Sequence, residues 1–381
     1  MGGKIRIGLI YGGKSGEHDV SLQTALAVMK AVDFTKYEVT PFYITTKGEW
    51  KSGAPLLGPA ESKDALTFRA GETGNAPVSN ALAPIFGAIQ AKGDVSVAAV
   101  NPVGTKDTSL DVIFPLLHGT FGEDGTIQGL LEMANIPYVG AGVLASAVGM
   151  DKVMMKKIFA QEGLPQCIFR HFTRTEWEKN RAYHLVELET AIGYPCFVKP
   201  ANLGSSVGIS KARNQAELIE AVNFAFQYDR KVIIEENIDA REIEVAILGN
   251  DEPIASVAGE IVSSNEFYDY KAKYLDGKSA MVIPAEIPHE TAEQIRQLAI
   301  QAYLAVDGSG LSRLDFFLGK TDNKIYINEI NTMPGFTPFS MYPLLWQESG
   351  KPYAELLDDL IRLAIERHAA KQNIQYSFDV E

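Results

Sequence analysis

Cysteine is scarce in this sequence, with only Cys167 and Cys196 among 381 residues. These two cysteines do not have the spacing of a metal site, and two are too few for a disulfide framework. Long apolar runs are also missing, because no stretch approaches the roughly 18 apolar residues of a membrane-spanning helix. The apolar run near the N-terminus is too short for a signal peptide. These absences favour a cytoplasmic protein with no membrane association.

Basic residues are outnumbered, since 35 Lys and Arg stand against 48 Asp and Glu and give a net charge of −13. This balance argues against general nucleic-acid binding, which needs a basic surface. It does not exclude a small anionic ligand, because local lysines can outweigh the overall sign. The sequence also lacks a G-x-x-x-x-G-K-[ST] phosphate loop, and "GLIYGGKSG" has no clean G-x-G-x-x-G. A dinucleotide-dependent oxidoreductase is therefore disfavoured.

The chain length predicts two or three domains. Residues 1–140 alternate between strand patterns and helix patterns, with Ser21 as a candidate helix N-cap, which indicates a parallel, doubly wound unit. Residues 141–230 have the pattern of a small α+β module, and residues 231–381 form a second module. The polar and aromatic segment 263–285 has no period and is too long for an ordinary connection, which predicts a functional loop.

An acidic hairpin is predicted at "SRLDFFLGKTDNKIYINEIN". In a strand, Glu329 and Asn331 point to one face, and Ile325 and Ile327 are expected to share it. If residue 318 opposes residue 326, four polar side chains meet on one face at one end of the hairpin. They are Arg313, Asp315, Glu329 and Asn331.

Two carboxylates and an amide oxygen suit Mg²⁺ or Mn²⁺, which keep waters and share coordination with phosphates. The alternative is a metal-free Arg–Asp–Glu salt-bridge cluster. Asn331 favours the metal site, because an amide has no evident use in a salt bridge. The turn "TMPGF" follows directly, and its backbone amides can meet an oxyanion.

Two further segments have the pattern of nucleotide contacts. "VKPANLGSSVGISK" (198–211) places Lys199 at a strand end before a Gly/Ser loop, which can offer amides and hydroxyls to phosphates or be an ordinary turn. "IIEENIDAREIEV" (233–245) places Glu235 at a strand end with Glu242 seven residues on. Such a segment can contact adenine and ribose, although acidic strand ends are commonly only solvated.

In this order and spacing the pieces resemble the ATP-grasp enzymes, in which two α+β modules close on ATP. Six motifs resemble the D-alanine–D-alanine ligase family over essentially the whole chain: "GGKSGEHDVSL", "HGTFGEDGTIQG", "MDKVMMK", "VKPANLGSSVGISK", "EFYDYKAKY" and "RLDFFL" with "NEINTMPGFTPFSMYP". The resemblance implies an α/β and α+β chain. Its expected parts are an N-terminal pre-ATP-grasp domain with a doubly wound parallel sheet (1–140), a small ATP-grasp module (141–230) and a C-terminal module with the metal site (231–381).

The resemblance implies that Lys156 and Lys199 hold ATP phosphates and that Lys273 joins them at the γ-phosphate. It places Glu235 at the adenine amino group and Glu242 at the ribose. The full implied ATP set is Lys156, Lys199, Ser205, Ser206, Glu235, Glu236, Ile238, Glu242, Lys273 and Asn331. Two Mg²⁺ (or Mn²⁺) would be held by Asp315, Glu329 and Asn331. One departure is Leu203, which stands where the family's loop has a charged residue.

For the amino acids, the resemblance implies that Glu17 binds the ammonium of the first D-alanine, with His118 nearby. Arg313 and the amide of Gly335 would stabilise the developing oxyanion. Ser340 and the Met341 amide would bind the carboxylate of the second substrate. Catalytic residues would then be Glu17, Ser205, Tyr274, Arg313 and Gly335, and Glu17, Ser205 and Tyr274 would form a hydrogen-bonded latch.

The implied reaction joins two D-alanines through a D-alanyl phosphate, releases ADP and phosphate, and serves peptidoglycan synthesis. The implied partners are ATP, D-alanine and a second copy of the chain in a homodimer. Tyr268, Tyr270 and Tyr274 match the dipeptide-forming branch, whereas D-alanine–D-lactate ligases depart from "YDYKAKY". Alternatives are a D-lactate or D-serine ligase, another ATP-grasp carboxylate–amine ligase and a non-catalytic nucleotide sensor.

Overall fold

The computed structural model describes residues 3–67, 110–262 and 280–375. Its strands are β1 (Ile5–Gly12), β2 (Tyr37–Ile44), β3 (Trp50–Ser52), β4 (Val112–Pro115), β5 (Phe169–Thr173), β6 (Cys196–Pro200), β7 (Ser210–Ala212), β8 (Lys231–Glu236), β9 (Ala240–Gly249), β10 (Ile254–Val262), β11 (Ala280–Val282), β12 (Gly310–Gly319) and β13 (Ile325–Asn331). Its α-helices are α1 (His18–Ala31), α2 (Thr126–Met133), α3 (Val143–Met150), α4 (Lys152–Gln161), α5 (Arg174–Ala191), α6 (Gln215–Ala225), α7 (His289–Ala305), α8 (Met341–Glu348) and α9 (Tyr353–Gln372). Within these residues, no helix has the length and apolarity needed to cross a membrane.

The N-terminal sheet has the order β3-β2-β1-β4, with β1 parallel to both β2 and β4. This confirms the predicted parallel unit; β3 adds an antiparallel edge. The predicted N-cap at Ser21 is wrong, because α1 begins at His18 and Ser21 is buried inside it. Its hydroxyl accepts from the Gly12 amide (2.8 Å) and donates to the Leu116 carbonyl. Ser21 therefore ties the ends of β1 and β4 to α1.

The middle sheet has the order β5-β8-β6-β7, and each neighbouring pair is antiparallel. Strand β8 belongs to this sheet, so the middle unit runs on to Glu236, beyond the boundary expected after residue 230. Helices α5 and α6 cover the sheet through a core that contains Trp177, Leu188, Leu218 and Val222. Lys199 of β6 and Glu235 of β8 lie on adjacent antiparallel strands of this sheet.

The C-terminal sheet has the order β11-β10-β9-β12-β13 and is antiparallel throughout. A core that contains Phe159, Ala299 and Phe316 joins one face of this sheet to α4 and α7. Helix α9 belongs to a different core, in which Leu356 and Leu360 lie with residues of β1 and β2. The last helix therefore links the C-terminal module to the N-terminal domain.

A β-bulge in β13 decides which residues of the acidic hairpin face the core. Leu318 pairs with residue 325 rather than 326, yet Asp315 pairs with Glu329 as expected, because Asn328 is an extra residue between the two pairs. One extra residue reverses the side-chain alternation. Ile325 and Ile327 are therefore buried with Ile330 in the core behind the sheet, while Glu329 and Asn331 are only partly buried. The predicted sharing of one face by these isoleucines with Glu329 and Asn331 is wrong.

Candidate active site

Two adjoining cavities lie where the three sheets meet. The larger, of about 530 Å³, lies between the middle sheet and the C-terminal sheet. The smaller, of about 370 Å³, is bounded by the N-terminal domain, the loop after β6 and the segment after β13. The two cavities share part of their walls, formed by Ser206, Ile209, Glu244 and Glu329. A ligand in one cavity is thus adjacent to a ligand in the other.

A buried carboxylate with two lysines lies beside the larger cavity. Glu235 Oε2 is 2.6 Å from Lys199 Nζ, and Glu235 Oε1 is 3.1 Å from Lys156 Nζ. Burial would raise the pKa of Glu235, but the two ammonium groups outweigh it and lower the pKa to about 2. Lys199 and Glu235 line the cavity, whereas Lys156 is only 1% exposed and also donates to Cys167 Sγ at 3.5 Å. The sequence did not predict this ion-paired cluster.

The rim of the larger cavity carries the other residues expected near the nucleotide. Glu236, Ile238 and Glu242 all line it, and so does Ser206. The Glu236 carboxylate accepts from the Ile168 amide at 2.7 Å, and its own amide donates to the Ile168 carbonyl at 3.0 Å. Glu236 therefore fixes the end of β8 to the segment before β5, and it holds the cavity rim in place.

The acidic hairpin contributes a charged cluster that includes one residue that the sequence analysis missed. Arg313 donates to both oxygens of Asp315 at 2.7 Å, and its Nε is 2.9 Å from Glu244 Oε2. Glu244 lies opposite Asp315 on β9. A signal for it was present, because the alternation in "EIEV" puts Glu242 and Glu244 on one face of a strand.

The donor set of the hairpin fits a hard cation that also takes ligands from phosphate and water. Asn331 Nδ2 donates to Asp315 Oδ2 at 2.9 Å, so the expectation that an amide has no use in the salt-bridge cluster is wrong. The amide oxygen is a different atom from the one engaged here, so this hydrogen bond does not remove the amide as an oxygen donor. In the described ranges, no group of three or more His, Cys, Asp or Glu is arranged to hold a metal by itself.

The smaller cavity brings together the residues expected around the first amino acid. Ser205 Oγ donates a hydrogen bond to the Glu17 carboxylate. His118 is buried, its Nε2 is 3.1 Å from Thr24 Oγ1, and burial lowers its pKa to about 4. The ring is therefore neutral near pH 7. Glu123, which sequence reasoning missed, also lines this cavity, and both burial and the Glu17 charge raise its pKa.

The segment after β13 forms the opposite side of the smaller cavity. Gly335, Ser340 and Met341 all line it. Ser340 Oγ accepts from the Thr337 amide at 3.1 Å, and a Cβ on Gly335 would lie only 3.1 Å from Ser340 Oγ. Ser340 precedes α8 at its N-cap position, where helical N–H groups favour an anion.

The loop after β6, residues 201–208, contributes to the lining of both cavities and is here named the phosphate loop. Ser205 and Ser206 both have left-handed backbone conformations, with φ of +53° and +57°. The other expected ligands, Lys273 and Tyr274, lie outside the described residues, as do Tyr268 and Tyr270 and most of the predicted loop 263–285.

Comparison with known proteins gives consistent results. The family models described as "D-ala D-ala ligase N-terminus" and "D-ala D-ala ligase C-terminus" match residues 6–141 and 158–362. The chain is 56% identical over 375 residues to the D-alanine–D-alanine ligase of Bacillus cytotoxicus, covering 98% of this chain and 99% of that protein. It is 55% identical over 378 residues to the same-named protein of Geobacillus kaustophilus, covering 99% of each.

Solved structures show the same similarity. The D-alanine-D-alanine ligase from Coxiella burnetii has a TM-score of 0.75 and 34% identity, covering 97% of this chain and 96% of its own. The VanG D-Ala:D-Ser ligase from Enterococcus faecalis also has a TM-score of 0.75 and 34% identity, covering 95% of this chain and 100% of its own. The expected ATP-grasp architecture is consistent with these neighbours.

Proposed function

This chain belongs to the D-alanine–D-alanine ligase family, and we propose that it joins two D-alanines into D-alanyl-D-alanine with conversion of ATP to ADP and phosphate. The product would serve peptidoglycan synthesis. The observation that carries the proposal is the wall that the two cavities share, because Glu329 and Ser206 border both. A phosphoryl group at that wall lies within reach of an amino-acid carboxylate in the smaller cavity.

The chemistry requires an activated carboxylate, because an amine does not displace oxide from a free carboxylate. The γ-phosphoryl group of ATP passes to the first D-alanine and gives D-alanyl phosphate, which the amine of the second D-alanine attacks. Phosphoryl transfer depends mainly on positioning and charge neutralisation. Lys199 and Lys156 supply positive charge beside the larger cavity, and Glu235 keeps both ammonium groups fixed there.

We assign the nucleotide to the larger cavity. Glu235 would meet the adenine amino group, Glu236 and Ile238 would contribute backbone contacts, and Glu242 would bind the ribose. These residues line one cavity and lie on β8, on β9 and in the short connection between them, which supports the assignment. Ser205 and Ser206 of the phosphate loop would lie over the phosphates. Lys273 remains a prediction for the γ-phosphate.

We propose that Asp315, Glu329 and Asn331 hold two Mg²⁺ (or Mn²⁺) together with the phosphates. When bound, these ions would neutralise charge on the transferring group. Arg313 lies in the same cluster, where Asp315 and Glu244 hold its guanidinium. It would stabilise the developing oxyanion together with the Gly335 amide, and both residues line the smaller cavity.

We place both amino acids in the smaller cavity. Glu17 would bind the ammonium of the first D-alanine, with neutral His118 beside it. Ser340 and the Met341 amide would bind the carboxylate of the second, at the start of α8. The latch predicted from Glu17, Ser205 and Tyr274 is supported by the Ser205–Glu17 hydrogen bond; Tyr274 remains a prediction. If the predicted functional loop 263–285 closes over the site, it would exclude water and protect the acyl phosphate.

A D-serine acceptor is the second candidate, because the VanG D-Ala:D-Ser ligase has the same TM-score as the D-alanine-D-alanine ligase from Coxiella burnetii. The fold therefore does not distinguish a D-alanine acceptor from a D-serine acceptor. D-lactate is a third alternative acceptor. A homodimer and a cytoplasmic location are further proposals that follow from the family. The three-domain division also remains a proposal, with the middle unit extended to Glu236.

The test is phosphate release from ATP with D-alanine, L-alanine, D-serine or D-lactate, each with and without Mg²⁺, together with detection of the product. We expect D-alanine to support release and D-alanyl-D-alanine to accumulate only when Mg²⁺ is present. Turnover of ATP that does not depend on D-alanine would contradict the proposed reaction. Formation of D-alanyl-D-serine in preference to D-alanyl-D-alanine, when both amino acids are present, would favour the second candidate.

A further inference from the structure

We infer that Gly259 is a positioning residue for the second amino acid, because its missing side chain lets the start of α8 lie against β10 beside the smaller cavity. The inference rests on the proposed function, which places the carboxylate of the second D-alanine at Ser340 and the Met341 amide. Gly259 itself lines neither of the two cavities. It pairs with Glu244 of β9 and is buried in the sheet beneath α8.

Space, and not backbone conformation, explains the glycine at this position. The φ angle of Gly259 is outside the left-handed range, so a residue with a side chain could adopt the same backbone. A Cβ added there would lie 2.8 Å from Leu345 Cδ2, 3.0 Å from Met341 Sδ and 3.3 Å from Ile283 Cγ1. A glycine inside a strand weakens it and often marks the close approach of another segment. Here that segment is α8, on which Met341 and Leu345 are one turn apart.

The neighbours of Gly259 on β10 show how closely α8 packs against this strand. Alternation places Val257, Gly259 and Ile261 on one face, and Val257 and Ile261 pack in the same core as Met341 and Leu345. Leu345 is 0% exposed and Met341 is 3% exposed. Protein cores are close-packed, so a methyl group can enter this face only by displacing α8 or its side chains.

Helix α8 is fixed to the sheet, so the displacement falls on Met341 and the turn before it. Tyr342 Oη donates to the Ile247 carbonyl at 3.0 Å, and the Val257 amide donates to Ser349 Oγ, just after the helix, at 2.9 Å. Met341 lines the smaller cavity, which is open space that a displaced side chain can enter. A methyl group on the strand beneath α8 would therefore reduce the space for the acceptor and shift the amide that binds its carboxylate.

The first amino acid and the nucleotide should not be affected by this change. Glu17 and His118 line the side of the smaller cavity that the N-terminal domain forms, and Lys199 and Glu235 lie beside the larger cavity. The three atoms nearest to a Cβ on Gly259 belong to neither group. The inference therefore predicts an effect on the second amino acid alone.

The test compares Gly259→Ala with the matched control Gly129→Ala in α2, where an added Cβ meets no atom within 4 Å. Initial rates over a wide range of D-alanine concentrations give separate KM values for the first and the second D-alanine, and the KM for ATP is measured alongside. We expect Gly259→Ala to raise the KM of the second D-alanine by roughly 10-fold, as small misplacements in active sites do. The other two KM values, and all three in Gly129→Ala, should stay within about twofold of the unmodified protein. Gly259→Ala should also disfavour D-serine, the larger acceptor, more strongly than D-alanine.

A compensating substitution separates positioning from a general loss of stability. Leu345→Val removes the Cδ2 atom that lies nearest to the added methyl group, so the double variant Gly259→Ala/Leu345→Val should recover most of the affinity for the second D-alanine. An unchanged KM in Gly259→Ala, an equal rise for both D-alanines and ATP, or no recovery in the double variant would overturn the inference. If the unmodified protein made no D-alanyl-D-alanine, the proposed function would fail instead.

Discussion

Ser205 donates a hydrogen bond to the carboxylate of Glu17, although the two residues are 188 positions apart in the sequence. Ser205 lies in the phosphate loop of the middle unit, and Glu17 lies directly before α1 of the N-terminal domain. Both side chains line the smaller cavity. The contact therefore joins the part of the chain that would bind the nucleotide to the part that would bind the first amino acid.

Removal of this contact should slow the reaction with little effect on the fold. A hydrogen bond to a charged group contributes about 1.5–3 kcal/mol. We therefore expect Ser205→Ala to lower kcat/KM for D-alanine by roughly 10–100-fold, measured by steady-state kinetics. Ser210→Ala, in β7 and outside both cavity linings, is the control. Equal kinetics for the two variants would show that the contact has no catalytic importance.

Loss of the Glu329 carboxylate should remove metal-dependent turnover. Glu329→Gln keeps the shape of the side chain but removes a charged oxygen ligand, so Mg²⁺ should no longer stimulate phosphate release. The melting temperature should change little, because Glu329 is only partly buried. Glu290→Gln, at an exposed position in the first turn of α7, serves as the control. Near-normal Mg²⁺-dependent activity in Glu329→Gln would refute the cation assignment.

The ion pairs of Glu235 with Lys156 and Lys199 predict that the free energy of unfolding depends on pH. The pKa of Glu235 is about 2 in the folded protein against 4.5 for an unperturbed glutamate, so its contribution is present above about pH 4.5 and is lost as the pH falls towards 2. Glu235→Gln leaves Lys156 and Lys199 without their partner and should cost roughly 3–5 kcal/mol at pH 7.

Chemical denaturation between pH 2 and pH 7 measures this effect. We expect the stability of Glu235→Gln to depend less on pH below 4.5 than that of the unmodified protein. Glu178→Gln, on the exposed side of α5, should keep the full dependence. If the unfolding free energies of the unmodified protein and Glu235→Gln changed with pH in the same way, the two lysines would not be lowering the pKa of Glu235.

His118 should remain neutral throughout the physiological range. Burial lowers its pKa to about 4, so the unfolded chain takes up its proton first, and the related stability is lost as the pH falls from about 6.5 to 4. NMR of the imidazole, assigned by the signal missing in His118→Gln, should show no titration between pH 5 and 8. A midpoint near 6.5 would contradict the buried, neutral ring.

The bulge in β13 accommodates Asn328 without turning Glu329 and Asn331 towards the core. If Asn328 is deleted, regular alternation keeps Ile325 and Ile327 on the core face and Glu329 and Asn331 on the opposite face. We therefore expect the deletion variant to keep the fold, with a melting temperature close to that of Asn328→Ala. A large fall in the melting temperature of the deletion variant alone would contradict this account of the bulge.

Local sequence patterns were enough to place many strands and helices, but not to identify the residues that they contact. The parallel N-terminal strands follow from the alternation of strand and helix patterns, whereas the pairing of Asp315 with Glu329 was right only because a bulge offset an assumed register that was wrong by one residue. The assumed pairing of residues 318 and 326 was wrong, because a bulge leaves no clear mark in the sequence. The N-cap at Ser21 failed for a related reason, since a serine can cap a helix or, as here, tie two strand ends from inside one.

The sequence by itself determined which chemistry the chain can carry: its order of lysines, glycines and acids implied ATP, a hard metal and a family. Only the tertiary structure decided that Glu235 lies between Lys156 and Lys199, that Glu244 and Glu123 line the cavities, and that Lys152 donates to the Leu203 carbonyl. The physical reason is distance along the chain. Propensity and periodicity act over a few residues, whereas these contacts form between segments that packing alone brings together.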